Sequence, residues 1–226
     1  MSANTPARNA TAVLGDVSAL YQVSMSVQKE SHVPVQLNYS VLKEAVVGHF
    51  GMGNPKDQIT FWSGSDSSNL GQQRLFELLE RQKIAVRRFA PRDSYICEPE
   101  KLGLDPTRDA QHRLLLLQRF SGSIAFAAGA LCNRYRIIFI SDSFQLAEPL
   151  VRASELARKR KEAPAGLVFW KTHLDPRWHQ IIDQFGIDFL DLDPMQDQLF
   201  RPKGEHAGKP RQSRQGFDDG FLLDKD

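Results

Sequence analysis

A chain of 226 residues, 41% hydrophobic and 25% charged, suits one soluble domain with an appended tail rather than a fibre or a wholly disordered polypeptide. Its formal charge of +2 is too small for a global nucleic-acid footprint, so any such affinity has to come from local patches. No apolar run nears the ~18 residues that span a bilayer, and the polar, small Met1–Asn9 lacks a signal-peptide core; a cytoplasmic protein without membrane contact is expected.

The first predicted strand is Thr11–Leu14, ending at Gly15-Asp16. Val17–Lys29 follows as a helix, and Leu37–Phe50 repeats apolar residues at helical spacing until Gly51 stops it. Ile59–Trp62 reads as the second strand, closed by a Ser/Gly loop in which Trp62 serves the core or a stacking platform. Gln72–Gln82 is an amphipathic helix and Ile84–Phe89 the third strand. Asp93–Asp109 is a predicted loop, and Gln111–Leu131 holds one or two helices broken near Ser121-Gly122. Tyr135–Ile140 is the fourth strand, Leu146–Lys161 a helix and Leu167–Trp170 the fifth strand. Pro176–Phe185 is helical, and Ile187–Leu190 is a last short strand or edge.

Strands separated by helices of this length need crossovers, which predicts an α/β, Rossmann-like three-layer α/β/α sandwich on a mostly parallel sheet of five or six strands. The expected divisions are a flexible N-terminus at 1–10, the domain at 11–194 and a disordered tail at 195–226. The tail carries five basic residues between Arg201 and Gln215 and then ends in G-F-D-D-G-F-L-L-D-K-D. Phe217, Phe221 and Leu222 among aspartates are candidate anchors for a protein partner.

Neither the two cysteines, Cys97 and Cys132, nor the scattered histidines show a metal-ligand spacing. The run Arg158, Lys159, Arg160, Lys161 closes a helix, where cations oppose the negative dipole end or form a phosphate-binding patch. In an open α/β sheet, ligands bind beyond the carboxyl ends of the strands. Two carboxylates, Asp16 and Asp142, fall at such ends. Asp142, with Ser141, also suits a cap for the following helix. Glu148 falls in that helix's first turns, suited to the dipole or to solvent.

The strings D-V-S-A-L-Y at Asp16–Tyr21 and I-S-D-S-F-Q-L-A-E-P-L at Ile140–Leu150 resemble the NYN family of the PIN-like nuclease superfamily. One branch of that family reads D-G-F-N-L-Y and I-S-N-D-S-D-L-A-E-P-L at the same places. Gly71–Arg81 and Phe120–Ala127 resemble further stretches, so the likeness spans Ala12 to Asp193. It implies a Mg²⁺- or Mn²⁺-dependent ribonuclease on a Rossmann-like sheet, with carboxylates around the metal.

The departures fall on the chemistry. Carried over by position, Asp16 survives, but the family's other polar and acidic positions are Ala19, Ser123, Ser143 and Gln145, and its lysine falls beside Arg119. The resemblance therefore implies a degenerate site and an RNA- or protein-binding module. Its alternative is an active Mg²⁺/Mn²⁺ ribonuclease rearranged around Asp16 and Asp142. A nucleotide-binding α/β protein is a third reading, although L-G-D-V-S-A-L lacks the glycine-rich phosphate loop it requires.

Overall fold

Seven apolar or small residues ending in a carboxylate, A-T-A-V-L-G-D, make the central strand, and every one of them is buried. A strand covered on both faces cannot alternate polar and apolar residues, which is why this segment reads as a nearly unbroken apolar run. The computed structural model describes residues 10–64, 70–89 and 121–202. In chain order these form β1 (Ala10–Asp16), α1 (Val17–Ser31), β2 (Val35–Leu37), α2 (Tyr39–Phe50), β3 (Gln58–Gly64), α3 (Leu70–Arg81) and β4 (Ala85–Phe89). Helix α4 covers residues 121–131. Then come β5 (Tyr135–Ile140), α5 (Ala147–Arg160), β6 (Gly166–Phe169), α6 (Arg177–Phe185), β7 (Asp188–Asp191), α7 (Gln196–Leu199) and β8 (Phe200–Pro202).

Six strands lie in one sheet in the order β4-β3-β1-β5-β6-β7, with every neighbouring pair parallel. For this strand order the right-handed crossover rule puts α1, α2 and α3 over one face and α4, α5 and α6 over the other. The predicted three-layer α/β architecture is the one observed. Strand order reverses between β1 and β5, so their carboxyl ends open the crevice at which doubly wound sheets take ligands. Among the described residues no helix is long and apolar enough to cross a membrane.

Packing across β1 depends on a missing side chain. Gly15 pairs with Phe61 of β3, and a Cβ on Gly15 would lie 2.0 Å from two carbons of the Phe61 ring. That ring in turn meets Tyr39 of α2, centroid to centroid at 6.1 Å. At the opposite end of the strands, Arg136 of β5 is ion-paired with Asp188 of β7, and His49 of α2 reaches the same carboxylate at 2.8 Å. Arg136 also donates to the carbonyls of Pro164 (2.7 Å) and Phe50 (3.4 Å).

Two predicted boundaries move. Leu37 does not open the second helix; it ends β2, and α2 starts at Tyr39 after Asn38. The packed body also continues past Pro194, where the apolar pattern was expected to dissolve. Strand β8 pairs antiparallel with β2, and the Asn38 N–H donates to the Leu199 carbonyl at 2.7 Å. Leu199 is fully buried, and the Phe200 ring stacks on Trp170 at 5.6 Å. A four-residue helix and a three-residue strand are too short to show a period, so their only signal is contact with distant residues. The predicted loop at Asp93–Asp109, Arg119 and the tail beyond Pro202 lie outside the described residues.

Candidate functional site

Asp16 closes β1 and opens α1. One carboxylate oxygen, Oδ1, accepts the backbone N–H of Ser18 at 2.8 Å and of Ala19 at 3.4 Å, the geometry of an N-cap. The residue is 1% exposed. Burial raises its pKa to about 6; the two backbone hydrogen bonds act against this, and the neighbouring charge of Asp142 adds to it. Asp142 is also shifted upward, chiefly by burial, while its own backbone N–H and the nearby His173 pull it down. The negative charge of Asp142, at the end of the neighbouring strand β5, thus reaches Asp16.

The loop after β5 is held from three directions. Trp178, wholly buried on α6, donates its indole N–H to the Asp142 carbonyl oxygen at 3.1 Å. The Ser141 hydroxyl accepts the Ser143 N–H at 3.2 Å. The Ser143 hydroxyl lies 2.8 Å from that of Ser121 at the start of the described part of α4. Asp142 does not cap the following helix as expected. A 3-10 turn, Phe144–Leu146, intervenes before α5, and neither element has a side-chain cap. The turn's tight geometry instead makes Ser141 the local acceptor.

Of the positions that the resemblance marks as degenerate, Ala19 is buried and contributes only its backbone N–H to the cap, and Gln145 is exposed to solvent. Ser123 is half-buried; the α4 hydroxyl that reaches Ser143 belongs to Ser121. Residues two apart on a helix point some 200° away from each other, so one residue's neighbours are not the other's. Trp62, the register partner of Asp16, is buried as a core residue. Glu148 is exposed in the first turn of α5 and ion-paired with Arg152 at 3.5 Å.

Arg158, Lys159, Arg160 and Lys161 are not part of the crevice. They close α5, whose 14 residues carry the chain about 21 Å from the carboxyl ends of the strands to the opposite edge. Arg119, Phe217, Phe221 and Leu222 lie outside the described residues. The residues that periodicity did not single out are Ser121, His173 and Trp178, each brought to Asp142 or Ser143 from another element.

Among the described residues the donor set does not fit a nuclease metal. A hard divalent cation takes several oxygen ligands and, for hydrolysis, a water held among them. Here one of two carboxylates already serves a helix cap, and the Ser121 and Ser143 hydroxyls bond to each other. Among the described residues no group of three or more His, Cys, Asp or Glu side chains comes together. Among the described residues the side-chain partner of Ser143 is a hydroxyl rather than a base that could activate it as a nucleophile.

No family model, curated protein or solved structure matches this chain. Among the described residues the crevice holds two carboxyl groups, a hydrogen-bonded hydroxyl pair and, near Asp142, a histidine.

Proposed function

We propose that this chain is a PIN-like protein of the NYN type that has lost metal-dependent cleavage and acts in the cytoplasm as an RNA- or protein-binding module. The observation that carries the reading is the role of Asp16. The one acid left at a family position is nearly inaccessible and satisfies the first turn of α1, so it has a structural task that needs no metal. The acidic–aromatic end, with Phe217, Phe221 and Leu222, is the proposed contact for a protein partner.

One feature favours the alternative, a Mg²⁺- or Mn²⁺-dependent ribonuclease built on Asp16 and Asp142: the negative charge of Asp142 adds to the upward shift of the Asp16 carboxyl. A cation between them would relieve that repulsion. The deciding experiment incubates the full chain with structured and single-stranded RNAs at low millimolar Mn²⁺, alongside a D16N/D142N variant. The binding-module reading expects no cleavage above the variant and no metal-induced rise in Tm, because only a ligand of the native state raises it. Cleavage abolished by the double substitution would establish the enzyme.

A further inference from the structure

Helix α4, residues 121–131, is built without a single charge: S-G-S-I-A-F-A-A-G-A-L. Its buried side is Ser121, Ile124 and Ala128, at i, i+3 and i+7, and the last two pack into the core. Gly122, Phe126, Gly129 and Ala130 fall within about 100° of one another on the opposite side of the helix. All four are exposed. Phe126 is 81% exposed, the highest value for a large apolar residue among the described ones. The other crossover helices turn charges outward, such as Glu44 on α2, Glu77 on α3, Arg152 on α5 and Asp183 on α6. The outward stripe of α4 is apolar instead.

Two of the four outward residues are glycines that the chain's own packing does not require. A Cβ built on Gly122 or Gly129 meets nothing within 4 Å, and neither residue has a positive φ. Glycine inside a helix costs about 1 kcal/mol against alanine. What it permits is close approach by another molecule's backbone or side chain. Phe126 lies one turn from each glycine, so the stripe carries one large knob between two hollows. Such a surface is complementary to a copy of itself, as the isologous contacts of two-fold dimers require. It also meets its copy without setting like charges together. A partner recognised by charge finds nothing to pair with on α4.

We propose that the outer face of α4 is a self-association surface that pairs two copies of this chain, helix against antiparallel helix, about a two-fold axis. Centred between Ala127 and Ala128, the pairing seats Phe126 of each copy over Gly129 of the other and sets Ala125 against Ala130. Every residue so matched is apolar, which is the composition of an interface centre. The outer face of an 11-residue helix is about 16 Å long and 10 Å wide. That is well below the ~800 Å² per partner of a standard stable interface. The dimer is therefore a weak one, dissociating in the range of roughly 10–100 µM, and not an obligate assembly.

The test is sedimentation velocity of the full chain from about 2 to about 200 µM, with reductant present so that cysteine oxidation cannot contribute. The wild type should pass from monomer to dimer across this range and go no further. Phe126→Glu places two carboxylates in the apolar contact and should leave a monomer at every concentration. Gly129→Leu fills the hollow and should weaken the dimer roughly ten-fold or more. Its Tm in dilute solution should be unchanged or higher, because the leucine meets nothing in its own chain and favours the helix. Phe126→Glu should likewise keep the wild-type Tm in dilute solution. A wild type that stays monomeric throughout overturns the proposal, as does a dimer indifferent to both substitutions. Association that continues past the dimer overturns the two-fold pairing. A Tm lowered by several degrees in dilute Phe126→Glu would show that Phe126 is covered by its own chain, and overturns the proposal as well.

Discussion

The indole N–H of Trp178 donates to the carbonyl oxygen of Asp142, a bond spanning 36 positions in the chain. Helix α6 thereby sets the path of the loop after β5. The Trp178 ring is wholly buried and meets Phe144 edge-on at 5.5 Å, and the Arg177 guanidinium lies over the same phenyl ring at 4.0 Å. Trp178→Phe keeps an aromatic but removes the donor and part of the buried volume. Urea unfolding should show a loss of about 2–3 kcal/mol. An unchanged midpoint would mean the bond contributes nothing.

Asp16→Asn should stabilise the protein at neutral pH and have little effect in acid. Because burial raises the Asp16 pKa from 3.8 to about 6, the native state binds this proton more tightly than the unfolded chain. The resulting stability is fully present below the unfolded value and is lost as pH rises through the folded one. Above that window the fold holds a buried carboxylate, at a cost of order ~3 kcal/mol before any relaxation. Asparagine caps a helix as well as aspartate does and carries no charge. Unfolding at pH 7.5 should favour the variant by roughly 1–2 kcal/mol, converging on the wild type near pH 4. Equal stability at both pH values would contradict the buried-carboxylate account.

Gly15→Ala tests the crossing of β1 by Phe61. The new methyl would lie 2.0 Å from the ring, and the ring is itself fully buried against Tyr39. Overpacking of this kind costs about 3 kcal/mol or leaves the protein insoluble. Pairing G15A with F61L should recover part of the loss, which a purely conformational effect of alanine would not allow.

Removing Asp188 should be costly because of the partner left behind. The Arg136 side chain is only 12% exposed, and Asp188 is its ion-pair partner. Asp188→Asn is expected to lose about 2 kcal/mol, less than a fully buried pair, since water reaches Asp188. Arg136→Met should cost a similar amount, and the double variant less than the sum by about 1 kcal/mol in a double-mutant cycle. Strict additivity would show that the two side chains act independently.

The truncation boundary is a further check. Ending the chain after Pro194 removes Leu199, Phe200 and the β2–β8 pairing and uncovers the Trp170 ring. That form should lose its cooperative thermal transition. Ending it after Pro202 keeps all these contacts and should retain a sharp transition.

Local pattern was enough to read the architecture. In a parallel sheet buried on both faces, strands are short apolar runs and the crossovers are amphipathic helices, so element type and order follow from spacing. The placement of Asp16 and Asp142 at one edge follows too, because all carboxyl ends of a parallel sheet share that edge. That Ala19, Ser123, Ser143 and Gln145 carry no carboxylate is a matter of residue type alone. Other facts needed the folded chain. That Ser121 is the hydroxyl meeting Ser143 depends on how α4 is rotated about its axis, which a short helix does not announce. That His173 and Trp178 approach Asp142, that Arg160 ties Cys132 and Asn133 to the end of α5, and that β8 returns to β2 all depend on elements remote in sequence. Periodicity records which face of an element is buried. The side chain that meets it there is set by the packing of whole helices and strands against one another.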